Sequence, residues 1–383
     1  MAGRPGYPVR VTESVSWPQA LSWRMRRHLL DPVGGETAPA VVRRLCAVQA
    51  QVASYADLAV RVRRRSSKPG DVARALSEGR LIKTWAMRGT LHYLTPEDGG
   101  AFLSLIASGR SWERPSWQKY FGMTTDRMAR LRVAVREALD GRVLTREELV
   151  NEIVATRGLR QIGEQLRSGW GTLLKPLAWQ GDLCFGPSRG NRVTFMRPEA
   201  ASAQWAGVPD PEEAGPAAVA AYIGAYGPAT VGAFGAWLAG GWFGTRKLRS
   251  WFDALGDGIV EVDVDGDRAF VLAEDVDELP TTKHSTAVRL LPGFDQWVLG
   301  PGTKDPHVVP AGRRAAVSKQ SGWIAAVVVM GGVVVGTWEL DGNGVRVAWF
   351  TESGRVPRKA IEDEVARLGS ILDRDLEVTI EPV

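Results

Sequence analysis

The chain has 383 residues, 44% hydrophobic and 24% charged, which excludes a disordered or fibrous protein and leaves room for about two to four domains. Two cysteines and four histidines, none at metal-ligand spacing, exclude a disulfide scaffold, a cysteine zinc site and a histidine-rich metal centre. The net charge of +5 is uneven: residues 1–200 carry 32 Lys+Arg against 18 Asp+Glu, whereas residues 201–383 carry 16 against 25.

A basic N-terminal half is what a polyanion-binding surface needs, because neutralising phosphates supplies most non-specific affinity. Of the 48 cations 39 are Arg, which forks onto phosphate and stacks on bases, although a GC-rich genome also favours Arg over Lys. The 15 Trp residues are read mainly as core, with a minority free to stack on bases. Met1 to Trp17 has no apolar leader stretch, so the expected location is the cytoplasm, on the nucleoid when DNA is bound.

In chain order, a helix set followed by a short hairpin is predicted three times. The first hairpin runs Leu81–Met87, a two-residue Arg88-Gly89 turn, and Thr90–Leu94. Arg88 stands at its tip, and alternation puts Thr90 and His92 on one face, either toward DNA or, for His92, packed in the hairpin's buried face. The second set begins at Thr145, an N-cap completed into a capping box by Glu148, and ends in Asp182–Phe185 and Arg192–Met196. The third contains the charge-free stretch Ala214–Thr245, long enough to span a bilayer. Its eight Gly and two Pro favour two short buried helices, 217–225 and 229–239, broken at Tyr226-Gly227-Pro228. A hairpin of Gly258–Val264 and Arg268–Leu272 follows. Asp263-Val264-Asp265-Gly266-Asp267 at its tip looks faintly like a calcium loop, but an acidic solvated turn is the preferred reading.

Helices followed by a hairpin describe the winged-helix form of helix-turn-helix. Beyond residue 284 the texture turns β-rich, with Val288–Leu291, Trp323–Met330, Val333–Leu340 and Val345–Phe350, one helix at Ala360–Leu372 and a last strand at Leu376–Ile380. The expected fold is α+β: winged-helix units at 1–120, 121–206 and 207–284, then a β-barrel-like domain at 285–383. Val317–Trp323, with Lys319 and Gln320 at a polar tip, is either a hairpin that probes the minor groove or an ordinary barrel turn. Phosphate-binding and dinucleotide-binding glycine loops, HExxH and GxSxG are absent, and no cofactor is expected.

Leu45-Cys46-Ala47-Val48-Gln49-Ala50-Gln51 resembles the Gln-aliphatic-Gln signature of the AlkZ-type DNA glycosylases, winged-helix enzymes associated with resistance to DNA-alkylating antibiotics such as azinomycin. Thr84–His92 looks like the family's first wing, and Tyr226-Gly227-Pro228-Ala229-Thr230 like its third unit. Leu290-Leu291-Pro292-Gly293-Phe294-Asp295 and Gly336-Thr337-Trp338 look like its C-terminal β domain. Ala50 departs mildly, being smaller than the usual aliphatic residue. The resemblance implies three tandem winged helices plus a β-barrel, forming a concave surface for duplex DNA containing alkylated guanine; three different units in one chain fit a monomer around one lesion, and no membrane partner is expected. The resemblance also implies an open groove that tolerates bulky adducts or interstrand crosslinks, and catalysis by Gln49 and Gln51.

The chemistry suits two amides. Guanine alkylated at N7 is already cationic and leaves readily, so what remains is to hold a water and face an oxocarbenium-like sugar. A Gln offers an acceptor oxygen and two N–H donors for that. In a regular helix, residues two apart do not share a face, so the pair requires the helix to end or distort near Ala50, which the polar run Gln49–Ser54 permits. Asp57 is an alternative base, or else a solvated or Arg-paired helix residue. Two other readings stay open: a winged-helix transcription regulator without enzymatic activity, and a resistance protein that sequesters a drug or its adduct.

Overall fold

The computed structural model of the protein describes residues 15–383; residues 1–14, which hold most of the stretch read as leader-free, lie outside the described residues. In chain order, α1 (Trp17–Arg27) and α2 (Ala38–Arg44) lead to the short strand β1 (Val48–Gln49), then α3 (Ala53–Arg61) and α4 (Asp71–Ser77). Strands β2 (Ile82–Trp85) and β3 (Leu91–Leu94) precede α5 (Pro96–Ser108), α6 (Pro115–Phe121) and α7 (Thr125–Ala138). Next come β4 (Leu144–Thr145), α8 (Arg146–Ala155), α9 (Gly163–Arg167), α10 (Lys175–Trp179), β5 (Cys184–Arg189) and β6 (Arg192–Met196). Then follow α11 (Pro198–Ala201), α12 (Pro211–Tyr226), α13 (Val231–Ala239), α14 (Thr245–Asp253), β7 (Ile259–Val264) and β8 (Asp267–Leu272). The chain ends with β9 (Val288–Leu291), α15 (Gln296–Leu299), α16 (Arg314–Val317), β10 (Val327–Met330), β11 (Val333–Asp341), β12 (Gly344–Trp349), α17 (Arg358–Leu372) and β13 (Glu377–Pro382). The fold is mixed α+β.

The three hairpins stand where the sequence places them: β2–β3, β5–β6 and β7–β8 are each antiparallel. The charge-free stretch forms α12 and α13, and among the described residues no helix is long and apolar enough to cross a membrane. The chain divides into two compact units: Met1–Asp71 with Val219–Trp237 and Gly244–Val383, and Val72–Ala218 with Leu238–Phe243.

In the second unit, β2 pairs with β5 through Lys83 and Phe185, which places strands in the order β3-β2-β5-β6-β4. That joins the first two hairpins in one sheet, a non-local pairing that no local pattern announces. Helices α7 and α8 bury Leu131, Val135, Leu149 and Ile153 in a core shared with Trp85, Leu177 and Phe195. Full burial of each such aliphatic side chain contributes about 1.5–3 kcal/mol. The Thr145–Glu148 capping box starts α8 as expected.

In the first unit, five strands lie in the order β13-β12-β11-β10-β9, antiparallel except for the parallel β12–β13 pair. The alternation Val345, Val347, Trp349 sends these side chains inward, where Ile361, Val365 and Leu368 of α17 join the same core. The strand order ends on β9 and β13, which do not pair, so this sheet is open where a barrel-like closure was expected. The β7–β8 hairpin packs with α1 around Trp23, Val262 and Val271. At its tip the carboxylates are engaged as acceptors: Asp263 from Gly266 N–H at 2.8 Å, Asp265 from Trp17 N–H at 2.8 Å, and Asp267 from the Trp17 indole at 3.0 Å. That is the acidic-turn reading of this tip.

Candidate functional site

The Gln-Ala-Gln segment is not helical. Helix α2, capped by Thr37, ends at Leu45, and Cys46 turns the chain with a left-handed φ of 61°. Val48 and Gln49 are extended as β1, and a bend at Gln51 and Val52 leads into α3. Gln49 is the last residue of the strand and Gln51 lies in the bend, so the spacing rule of a regular helix does not govern the pair. Gln49 is buried and Gln51 is exposed. The pair runs from the protein interior to the surface.

Distant segments support this loop. The Tyr226 hydroxyl donates to the Leu45 carbonyl at 2.7 Å, just ahead of the turn at Cys46. Burial holds that phenol well above its ordinary pKa, with Cys46 and Tyr222 adding to the rise, so it stays a donor. At the far end of α3, Arg63 forks onto Asp295 at 2.8 and 2.6 Å, and both side chains are buried. Asp295 also accepts from the Trp297 backbone N–H at 2.7 Å and so caps α15. Of the motifs singled out in the sequence, the one around Tyr226 therefore props the approach to the glutamine loop, and the one around Asp295 anchors the chain just past α3. Sequence reasoning missed this role, because its signal is a pairing between residues more than 180 positions apart.

The first turn of α3 opens onto a cavity of about 690 Å³ lined by Ser54, Tyr55, Asp57 and Arg61, with Lys319, Trp323 and Trp338 among the facing residues. Asp57 is half-buried and lies 3.5 Å from Arg61 one turn on, the Arg-paired alternative. Burial raises its pKa, against the pull of Arg61. The segment read as a hairpin tip is not a strand hairpin. Lys319 follows α16, Gln320 opens a single 3-10 turn, and only an isolated bridge joins Ser318 to Ile324. Gln320 is exposed and Lys319 faces the same cavity as Asp57. Gly293 is required where the Pro-Gly-Phe turn passes this region: a Cβ there would lie 2.7 Å from Tyr55 and 2.8 Å from the Ile324 carbonyl.

The residues of the first hairpin lie in the second unit. The strands end at Trp85 and restart at Leu91, so the connection spans residues 86–90 and is longer than the two-residue turn expected. Arg88 and Gly89 have φ of 56° and 69°, and the Thr90 N–H donates to the Met87 carbonyl at 3.2 Å. Positive φ at both central residues is the type I′ pattern, and it explains the glycine. Arg88 and Thr90 are partly exposed. His92 is not: it is fully buried, with Nδ1 3.0 Å from the Thr90 carbonyl. Burial, with Arg88 adding to it, pushes its pKa down to about 3. The structure places His92 in the hairpin's buried face, the second of the two alternatives. Lys175 stands beside the turn, its Nζ 3.6 Å from where a Cβ on Gly89 would be. Burial lowers its pKa, and nothing in the sequence marked it. Among the described residues, no group of three or more His, Cys, Asp or Glu side chains is placed to hold a metal ion.

The arrangement offers a fixed, buried amide, a second amide at the surface and a neighbouring half-buried carboxyl, the elements needed to hold a water without a strong acid. Comparison with known proteins shows the family. The family model for AlkZ-like DNA glycosylases matches residues 42–371. An interstrand DNA cross-link repair glycosylase of Streptomyces sahachiroi is 48% identical over 354 residues, covering 92% of this chain and 95% of that protein. The solved structure of the Streptomyces sahachiroi DNA glycosylase AlkZ superposes with a TM-score of 0.94 at 47% identity, covering 96% of this chain and 100% of that one. By sequence and by architecture alike, the chain belongs to the AlkZ-like DNA glycosylase family.

Proposed function

We propose that the protein is a monomeric DNA repair glycosylase that releases N7-alkylated guanine from duplex DNA, including bulky adducts and interstrand crosslinks left by a DNA-alkylating natural product. The observation that carries this reading is the placement of Gln49 and Gln51 on a non-helical segment running from interior to surface, within a chain 48% identical to a relative named for interstrand cross-link repair. Gln49 and Gln51 hold the attacking water, and their carbonyl oxygens face the developing cation. The water oxygen bonds to C1′ of the deoxyribose as the N9–C1′ bond breaks. Its electron pair leaves with the base and cancels the charge that alkylation placed there, and the water's proton passes to solvent or to Asp57. The helix-plus-hairpin modules act as winged-helix units within 1–120, 121–206 and 207–284, and residues 285–383 form the C-terminal β domain. Arg88 and Thr90, with Lys175 beside them, contact the phosphate backbone at the first wing, and Lys319 and Gln320 contact DNA from the first unit.

The test is incubation with duplex DNA containing N7-methylguanine. Free base and an abasic strand are the expected products. Sequence-specific binding to undamaged DNA without base release would instead indicate a regulator, and adduct binding without release a sequestering protein.

A further inference from the structure

We propose that the cavity walled by Tyr55, Trp323 and Trp338 is a subsite for a planar aromatic substituent carried on the N7-alkyl group of the adduct. This rests on the glycosylase reading above and extends it to the part of the substrate that is neither base nor sugar. The cavity, about 690 Å³, falls within the range of small-molecule sites, roughly 300–1,000 Å³. It is close to the glutamines along the chain: Ser54, which lines it, is three residues beyond Gln51, a reach of at most about 11 Å even if fully extended.

Its chemistry selects the occupant. Four charged side chains line it, the carboxylates Asp57 and Glu339 and the cations Arg61 and Lys319, so it presents no net positive charge to a phosphate. Arg61 is further committed to Asp57 and to the Ile371 carbonyl, and Glu339 to Arg346 at 3.2 Å. What remains for recognition is aromatic surface. Trp323 lines the cavity and is 43% exposed. Its ring is set edge-on against Phe294 at 5.1 Å and Tyr55 at 6.0 Å between centroids. The turn that carries it is closed by the Lys319 N–H donating to the Trp323 carbonyl at 2.9 Å. A pre-set indole with a free face lowers the ordering cost of stacking a planar group.

Two duplexes that differ only in the N7 substituent of one guanine, methyl or benzyl, test the assignment on the full chain. Equilibrium binding and single-turnover base release are both measured. The wild type is expected to bind the benzyl duplex about tenfold more tightly than the methyl duplex, the size of one aromatic stacking contact. Trp323→Ala should abolish that preference while methyl-duplex binding and release stay within about twofold, and Trp323→Phe, which keeps a planar ring, should restore most of it. Equal losses on both duplexes, or no loss on either in a folded variant, would overturn the subsite. If neither base were released but the Trp323-dependent preference in binding persisted, the subsite would stand and the hydrolytic reading would fall. Release of both bases with no binding preference would sink the subsite alone.

Discussion

Gln49 and Gln51 are two positions apart, yet their burial makes them different tools. Replacing both by Ala is expected to slow release of N7-methylguanine by two to four orders of magnitude, roughly 3–5 kcal/mol of barrier, because a positioned nucleophile is lost. DNA affinity should hold, since neutral amides contribute little to phosphate binding. The single variants should separate on stability. Gln49→Ala removes a buried amide and should lower unfolding stability by about 1 kcal/mol, whereas Gln51→Ala at the surface should stay within about 0.5 kcal/mol. Single-turnover kinetics alongside urea denaturation decides both; a folded double variant within threefold of wild type would shift the chemistry to Asp57. The Arg63–Asp295 pair is a second residue-scale test. Asp295→Ala leaves a buried guanidinium without its counter-ion and should cost about 3–5 kcal/mol in the same denaturation assay, with loss of base release following from loss of the fold behind the glutamine loop.

Among the elements, the first hairpin carries two expected outcomes. Arg88→Ala should weaken duplex binding and reduce the slope of log affinity against log salt by about one, the signature of one phosphate contact. Its buried strand residue His92 makes stability depend on pH. An imidazole held neutral down to about pH 3 in the folded state, but titrating near 6.5 when unfolded, contributes fully above 6.5 and loses that contribution as pH falls. Between pH 6.5 and 5 the loss should be about 2 kcal/mol, and His92→Leu should flatten that part of the profile when denaturation midpoints are compared. The hairpins were legible in the sequence because β-branched and aromatic residues around a glycine turn are local signals. The span of the first connection was not, because Ala86 and Met87 look like strand residues, and only the observed register shows that pairing stops at Trp85. The β2–β5 pairing and the open edge between β9 and β13 depend on tertiary placement, which periodicity does not encode. At the site, a family signature marked the two glutamines, while Tyr226 and Asp295 were visible as motifs but not as supports.

For the whole molecule, the charge asymmetry of the sequence has two origins. Part of the N-terminal excess is spent internally on acids of the C-terminal half: Arg26 on Glu278 at 2.8 Å, Arg27 on Asp275 at 3.7 Å, and Arg63 on Asp295 at 2.6 Å. Further cations are paired inside the N-terminal half, among them Arg64 with Asp71 at 2.5 Å and Arg132 with Asp182 at 2.7 Å. Affinity for undamaged duplex should still fall linearly in log–log form with salt, by close to 0.9 per phosphate neutralised, but the slope should be smaller than the raw charge count suggests. A slope near zero would remove the electrostatic basis of binding. The three-segment make-up of the first unit also has a consequence for synthesis. Arg63 and its counter-ion are 232 residues apart, so at about 5–20 residues per second the ribosome needs roughly 12–46 seconds to deliver Asp295 after Arg63 has emerged. Until then the nascent chain carries Arg63 without its counter-ion, and a translation product that stops before Asp295 never acquires it. A stop codon or proteolytic loss anywhere before Asp295 should therefore abolish function outright, and a chaperone that shields the early segment would have that interval in which to act.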